Sequence, residues 1–253
     1  MRKKKNGCSR PLHPQQVLTW VVVFINSIEF ILVSYFISSP TARVLIFSLF
    51  TTTAAVTFYY GIVVTLSTPD AHSLSLSHSA KDEDLDLAEY PQICHTCDAC
   101  IRRTTKHCMS CDKCIEHFDH HCKWVNNCIG ARNYCRFLGL VLAAAAWFAT
   151  QAGVNSAVLG QYFADSSEFL EQSEALVEIN GFVVFGVALF FAIEEGLVVV
   201  SLAYLLAFHA YLKAHGLTTF EYIMKQRRLV VVPQEVPHNT SNNLSILENS
   251  LNK

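Results

Sequence analysis

The sequence predicts an all-α integral membrane protein in which four transmembrane helices carry a cytosolic cysteine-rich domain between helices 2 and 3. Three observations lead there. Of 253 residues, 51% are hydrophobic and only 16% charged. The apolar ones gather in four runs, near 17–38, 44–66, 137–159 and 188–212, each close to the roughly 20 residues that a membrane span requires. Lysine and arginine fall on one side of a four-pass layout with Arg43 as the exception, which sets both termini and the segment between spans 2 and 3 in the cytosol. Nine of the ten cysteines crowd into residues 94–135. In a reducing cytosol that density favours metal binding or catalysis over disulfides.

The elements follow in order. Residues 1–16 are a basic cytosolic N-terminus; the apolar run after them is too long for a signal peptide and has no small-residue cleavage site, so it stays as a span. Helices 1 and 2 make an antiparallel transmembrane hairpin over 17–66, turned at Ser38-Ser39-Pro40. Residues 67–90, serine-rich and acidic, read as a flexible linker, and 91–136 as the cysteine-rich domain. Helix 3, 137–159, is rich in small residues that suit close helix packing. Residues 160–187 read as a lumenal or external loop, acidic at Asp165, Glu168, Glu171, Glu174 and Glu178 and without a basic residue.

Helix 4, 188–212, contains Glu194-Glu195, and counting about 20 residues back from Lys213 places that pair at the interface opposite the cytosol. Glu29 and Asn26 in helix 1 read either as a buried interhelical hydrogen bond or as a polar contact in a substrate cavity. Residues 213–253 form a cytosolic tail, extended or disordered past Arg228, where the Asn239 and Asn243 sequons stay unglycosylated. No internal repeat is visible.

The cysteine pattern is Cys94-x2-Cys97, then His107-Cys108-x2-Cys111-x2-Cys114, then His120-His121-Cys122 and Cys128. A structural zinc takes four Cys or His ligands, and pairs two residues apart fit a tight knuckle. With His95 and His117 added, the supply exceeds the eight ligands of two zinc ions. Spacing alone does not say which residues are spare, and plain ligation is the simplest reading of each.

The stretches CHTC, TTKHCMSCDKC, DHHCKWVNNCIG with Asn133, and TTFE at Thr218 to Glu221 resemble the DHHC-type protein S-acyltransferases, or palmitoyltransferases. The resemblance implies one zinc site at Cys94, Cys97, His107 and Cys114 and another at Cys108, Cys111, His121 and Cys128. Both ligand sets are then full, so the two zinc ions are structural and hold no reactive water. It further implies Cys122 as acyl-accepting nucleophile, His120 as its base and Asp119 as the residue that orients His120. Trp124, Asn127 and Thr219 support the active site by position, and Trp147 occupies a level of helix 3 where a bulky side chain closes an acyl cavity; ordinary packing is the competing reading of both tryptophans.

The implied activity is transfer of a long-chain acyl group from acyl-CoA to cysteines of membrane-associated proteins, through an S-acyl-enzyme in ping-pong order. The chemistry fits. Thioester exchange needs a nucleophile that itself forms a thioester, cysteine does so as thiolate, and a neighbouring imidazole accelerates such proton transfer by about 10² to 10⁴. Bringing an acyl tail into water costs about 0.8 kcal/mol per CH₂, hence a site at the membrane face. Arg102, Arg103, Lys106, Lys113, Lys123 and Arg132 are candidates for coenzyme A phosphates or anionic lipid. Cys8 and Cys135 are candidates for acylation themselves.

The chain departs from the family pattern at Lys123, where proline is usual, at Arg102-Arg103-Thr104, and at Thr68-Pro69-Asp70; none of these removes a proposed ligand. A rival reading is an inactive membrane-anchored zinc-finger adaptor, against which the intact Asp119-His120-His121-Cys122 stands. Nucleic acid is not an expected partner, because the cluster is tethered to spans at both ends and its basic residues are few. The expected location is the ER, the Golgi or the plasma membrane, with both termini and the zinc domain cytosolic.

Overall fold

The computed structural model describes residues 3–37, 39–71, 74–75, 88–177 and 180–231. Six helices are present among them: α1 (Pro14–Ser34), α2 (Pro40–Leu66), α3 (Tyr134–Ala164), α4 (Ser166–Val177), α5 (Gly181–Ala214) and α6 (Thr219–Val231). Of these, α1, α2, α3 and α5 are long and apolar enough to cross a membrane. Their starts are written in the sequence. Pro14 and Pro40 take first helical positions, where a missing N–H costs nothing, and the side chains of His13 and Ser39 before them accept from Gln15 N–H and Ala42 N–H. Asn180 likewise caps α5 by accepting from Phe182 N–H at 2.9 Å.

Helix α3 is central, packed most extensively on α5 and then on α2, with α1 against it. Phe30, Phe50, Trp147, Phe148, Val158, Val184 and Ala188 fill the space between. Phe24, Leu45, Phe190, Leu197, Val200 and Tyr204 remain exposed on the outside, the surface that lipid rather than water would cover.

The expected all-α architecture needs correction in the cysteine-rich segment, which is built of short strands: β1 (Leu74–Ser75), β2 (Gln92–Cys94), β3 (Ala99–Ile101), β4 (Lys106–Cys108), β5 (Lys113–Ile115), β6 (His120–Cys122) and β7 (Asn127–Ile129). Three hairpins of one register result. Cys94 pairs with Ala99, Cys108 with Lys113 and Cys122 with Asn127, so the unit recurs every fourteen residues and the expectation of no repeat is overturned. The last turn residue of each, Asp98, Asp112 and Asn126, has φ of 52°, 53° and 51°, the left-handed region that Asp and Asn tolerate best among side-chain-bearing residues. Each second strand ends on a buried isoleucine, Ile101, Ile115 or Ile129.

Other expectations shift as well. The loop 160–187 is largely helical, because α3 runs to Ala164 and α4 follows. α5 extends past Glu194-Glu195, beginning at Gly181, thirteen uncharged residues before Glu194, and Glu195 is 0% exposed. Residues 72–73 and 76–87 of the linker, Ser38 of the turn, Glu178, and the tail with Asn239 and Asn243 lie outside the described residues. Within the linker, Asp70 pairs with Lys113 at 2.7 Å and β1 joins β3.

The chain before α1 ties the two halves together. Lys4 N–H donates to Cys111 O and Gly7 N–H to Thr65 O. Asn126 Nδ2 donates to Gly7 O at 3.1 Å. A Cβ on Gly7 would collide with Val125 O, so only glycine lets the segment lie this close.

Candidate active site and metal-binding clusters

The hairpin repeat distributes the thiols and imidazoles. The knuckle of one hairpin faces a cross-strand His–Cys pair of the next, bringing Cys94 and Cys97 to His107 and Cys114, and Cys108 and Cys111 to His121 and Cys128. In each set the four ligand atoms lie within 4.8 Å of one another. From His107 Nδ1 the three sulfurs stand at 3.7, 3.3 and 3.9 Å, and from His121 Nδ1 at 3.9, 3.3 and 3.7 Å. Bonds of about 2.3 Å to sulfur and 2.0 Å to nitrogen around a tetrahedral zinc give edges of roughly 3.5–3.8 Å, so both sets fit a metal ion of that kind. These are the two sets named from the sequence.

The ends of the repeat stay incomplete. The third hairpin has Cys122 but Val125 where the others have Cys97 and Cys111, and the first has Cys100 paired with Ile93 where the others pair histidine with cysteine. Cys122 therefore stands outside both sets. It is 7% exposed and packs among Val64, Val125, Ile129, Phe137 and Val141.

Next to it, His120 Nδ1 and Asp119 Oδ2 are 2.6 Å apart. The other ring nitrogen is thus left for a partner, and His120 interacts with the Cys122 sulfur. Burial opposes a charge on His120, but Asp119 and Cys122 outweigh it and push its pKa up to about 9. Burial by itself would raise Asp119; the hydrogen bonds from His120 and Thr219 prevail and hold it below its ordinary value.

Thr219 reaches this carboxylate from a hundred residues away. Its N–H donates to Asp119 Oδ1 at 2.9 Å and its hydroxyl to Oδ2 at 2.8 Å. What presents it is a capping box at the start of α6, where Thr218 N–H donates to Glu221 Oε2 and Glu221 N–H to Thr218 Oγ1. The TTFE stretch is therefore a helix start whose first helical residue, Thr219, grips Asp119. Asn127 and Asn133 anchor the loop to the end of α2: Asn127 Nδ2 donates to Val64 O and Ser67 O, and Asn133 Nδ2 to Ser67 Oγ and Cys128 O.

The tryptophans part ways. Trp124 is 52% exposed, beside Cys122 in sequence and outside the core. Trp147 is 1% exposed and packs on Phe50, Phe58 and Phe148, in a cluster separate from that of Cys122. Two of the basic candidates are already engaged. Arg102 pairs with Glu89 and Glu116, and Lys113 is buried on Asp70. Arg103 and Lys106 instead line a groove of about 660 Å³ with Phe220, Met224, Lys225 and Arg228.

Two residues at the site had no sequence reading. His209 of α5, buried, lies 6.0 Å from the His120 ring and stacks edge-on to Phe137, and its Nδ1 is 3.0 Å from Tyr134 Oη. A solitary histidine inside LLAFHAY was the available signal.

The family model for DHHC palmitoyltransferase matches residues 88–226. Among curated proteins, the chain is 31% identical over 250 residues to human palmitoyltransferase ZDHHC11, covering 88% of this chain and 60% of that protein. It is 37% identical over 173 residues to Arabidopsis thaliana probable protein S-acyltransferase 19, covering 64% and 24%. A third similarity, 31% over 153 residues, is to human probable palmitoyltransferase ZDHHC11B, covering 54% and 41%. The chain thus spans 60% or less of the length of these relatives.

Proposed function

Because the chain belongs to the DHHC palmitoyltransferase family, we propose that it is a protein S-acyltransferase that moves a long-chain acyl group from acyl-CoA to cysteines of membrane-associated proteins in two steps. Cys122 and His120 do the chemistry, and Asp119 orients His120. In the first step the Cys122 proton resides on His120, whose raised pKa favours the thiolate–imidazolium pair, the sulfur bonds the thioester carbonyl carbon, and the bond from that carbon to the coenzyme A sulfur breaks. His120 returns the proton to the departing thiolate. The second step is the mirror image: His120 takes the proton of a substrate cysteine, the new thioester forms, and Cys122 leaves and is reprotonated.

One observation carries this reading: the Asp119–His120 pair at 2.6 Å stands beside the thiol that the hairpin repeat leaves outside both ligand sets. The Thr219 donors keep Asp119 ionised and in place, and the Asp119 bond fixes the tautomer of His120, as a carboxylate does in hydrolase triads. Cys94, Cys97, His107 and Cys114, and Cys108, Cys111, His121 and Cys128, would each hold a structural zinc ion. Zinc so bound would brace the hairpins, its four protein ligands leaving no position for water.

The cytosolic placement of the site follows from the lysine and arginine asymmetry. Arg103, Lys106, Lys123 and Arg132 are the basic residues left for coenzyme A phosphates. The test is to incubate the purified, zinc-loaded chain with a tagged palmitoyl-CoA analogue. Hydroxylamine-labile label on the wild type, lost in Cys122→Ser, is expected. An unlabelled wild type that is folded and zinc-loaded would replace the transferase with the adaptor reading.

A further inference from the structure

A second polar centre lies within the helix bundle, away from the cysteine-rich segment. Glu29 of α1 and Glu195 of α5 are 4% and 0% exposed. Both face Asn155 of α3, whose Nδ2 donates to Glu195 Oε2 at 3.0 Å. Glu194 faces Asn26 and Glu29. Among the described residues no cation pairs with these carboxylates, and the sequence has no Lys or Arg at all between residues 137 and 212.

Acceptors dominate the centre. Glu29 Oε1 and Oε2, Glu194 Oε2, Glu195 Oε1, Asn26 Oδ1, Gln151 Oε1 and Asn155 Oδ1 are buried without a hydrogen-bond partner. The amide nitrogens are occupied, Asn26 Nδ2 by Val22 O, Gln151 Nε2 by Trp147 O and Asn155 Nδ2 by Gln151 O and Glu195 Oε2, which leaves the amide oxygens free. Gln151 and Asn155, one turn apart, share a face of α3. Buried carboxylates without a paired cation are costly and must be neutralised, by protons or by a metal ion, and the unpartnered amide oxygens beside them are ligands that only the ion would use.

A set made of oxygen alone, with no thiol or imidazole, selects a hard cation. Two fully buried carboxylates balance one divalent charge. Calcium accepts about six to eight oxygens in flexible geometry, whereas magnesium demands a near-ideal octahedron and keeps its waters. We propose that Glu29, Glu195, Asn26, Gln151 and Asn155 form a calcium site inside the bundle, joining α1, α3 and α5. An ion held there would bridge three helices and so stiffen the bundle.

The test uses the zinc-loaded full chain in nanodiscs of uncharged phosphatidylcholine, with thermal unfolding followed by the fluorescence of its three tryptophans. Titration with calcium at constant ionic strength is expected to raise the midpoint at concentrations at least tenfold below those of magnesium. Glu29→Gln and Glu195→Gln should abolish the response, and Glu194→Gln, at the partly exposed position, should keep it. A response equal in wild type and both buried variants would overturn the proposal. So would an equal effect of sodium, or a Glu195→Gln midpoint without calcium that matches the wild type with it, which would mean that protons alone neutralise the cluster. Should a variant not fold, equilibrium dialysis of the wild type against radioactive calcium decides: about one ion per chain supports the site, and none overturns it.

Discussion

Asp119 is the residue on which the site turns, since it touches both His120 and the start of α6. Its backbone is fixed as well: Asp119 N–H donates to Ile129 O and its carbonyl accepts from Phe220 N–H. Removing one hydrogen bond to a charged group costs about 1.5–3 kcal/mol. Thr219→Val deletes the hydroxyl but spares the N–H donor, so the rate of Cys122 acylation should fall by about tenfold or more, while Thr219→Ser stays near wild type. Asp119→Asn removes the charge and permits the wrong His120 tautomer, and a loss of about 10² to 10⁴ is expected. Rapid-quench labelling of each variant, with zinc content measured alongside, checks both; Thr219→Val acylated as fast as wild type would deny that residue a positioning role.

At the scale of elements, the three hairpins explain why the ligands are shared between neighbours. No hairpin holds four ligands, so none is stable as a metal site alone, and each needs the next. Ion release therefore should not be local. Chelation of the purified chain is expected to free about two zinc ions and abolish labelling, while the far-UV dichroism of the helices persists because α1, α2, α3 and α5 are held by apolar packing. Cys111→Ser should act on both the second and third hairpins, lowering zinc content and labelling together. Loss of zinc with labelling intact would separate the metal from the acyl-accepting geometry.

The metal-binding character of the segment was legible because so dense a run of cysteines and histidines is rare, but spacing left the ligand sets open and only the motif resemblance divided them. The fourteen-residue repeat was not legible, since only Cys94, Cys108 and Cys122, the Asp or Asn turn residues, Cys100, Cys114 and Cys128, and the isoleucines persist through it. The grip of Thr219 on Asp119 spans a hundred residues; motif resemblance pointed to Thr219 without revealing its partner. The burial of Glu195 against Asn155 was not legible because it depends on how helices pack, and His209 passed unnoticed because a lone histidine in an apolar helix looks like any core residue.

Across the whole molecule, helix α3 links the cysteine-rich segment to the interior of the bundle. It starts one residue after Asn133, which hydrogen-bonds Cys128 O, and carries Phe137 and Val141 beside Cys122. Trp147 lies six residues beyond Val141, which packs in the cluster of Cys122, roughly 9 Å further along the axis and within the length of a long saturated acyl chain on Cys122. There the indole is enclosed by Phe50, Phe58 and Phe148, and one turn further on Gln151 begins a polar face that an alkyl tail would avoid. Trp147→Ala should open space at the end of the path and leave a cavity that costs about 3–5 kcal/mol in stability. A longer acyl chain fills part of that cavity and a shorter one does not. In competition between acyl-CoA lengths, the variant is expected to shift toward longer chains, and Trp147→Phe, which keeps most of the volume, should shift less. Unchanged competition in Trp147→Ala, with folding verified by the zinc content and the thermal midpoint, would assign Trp147 to packing alone and place the end of the acyl path elsewhere.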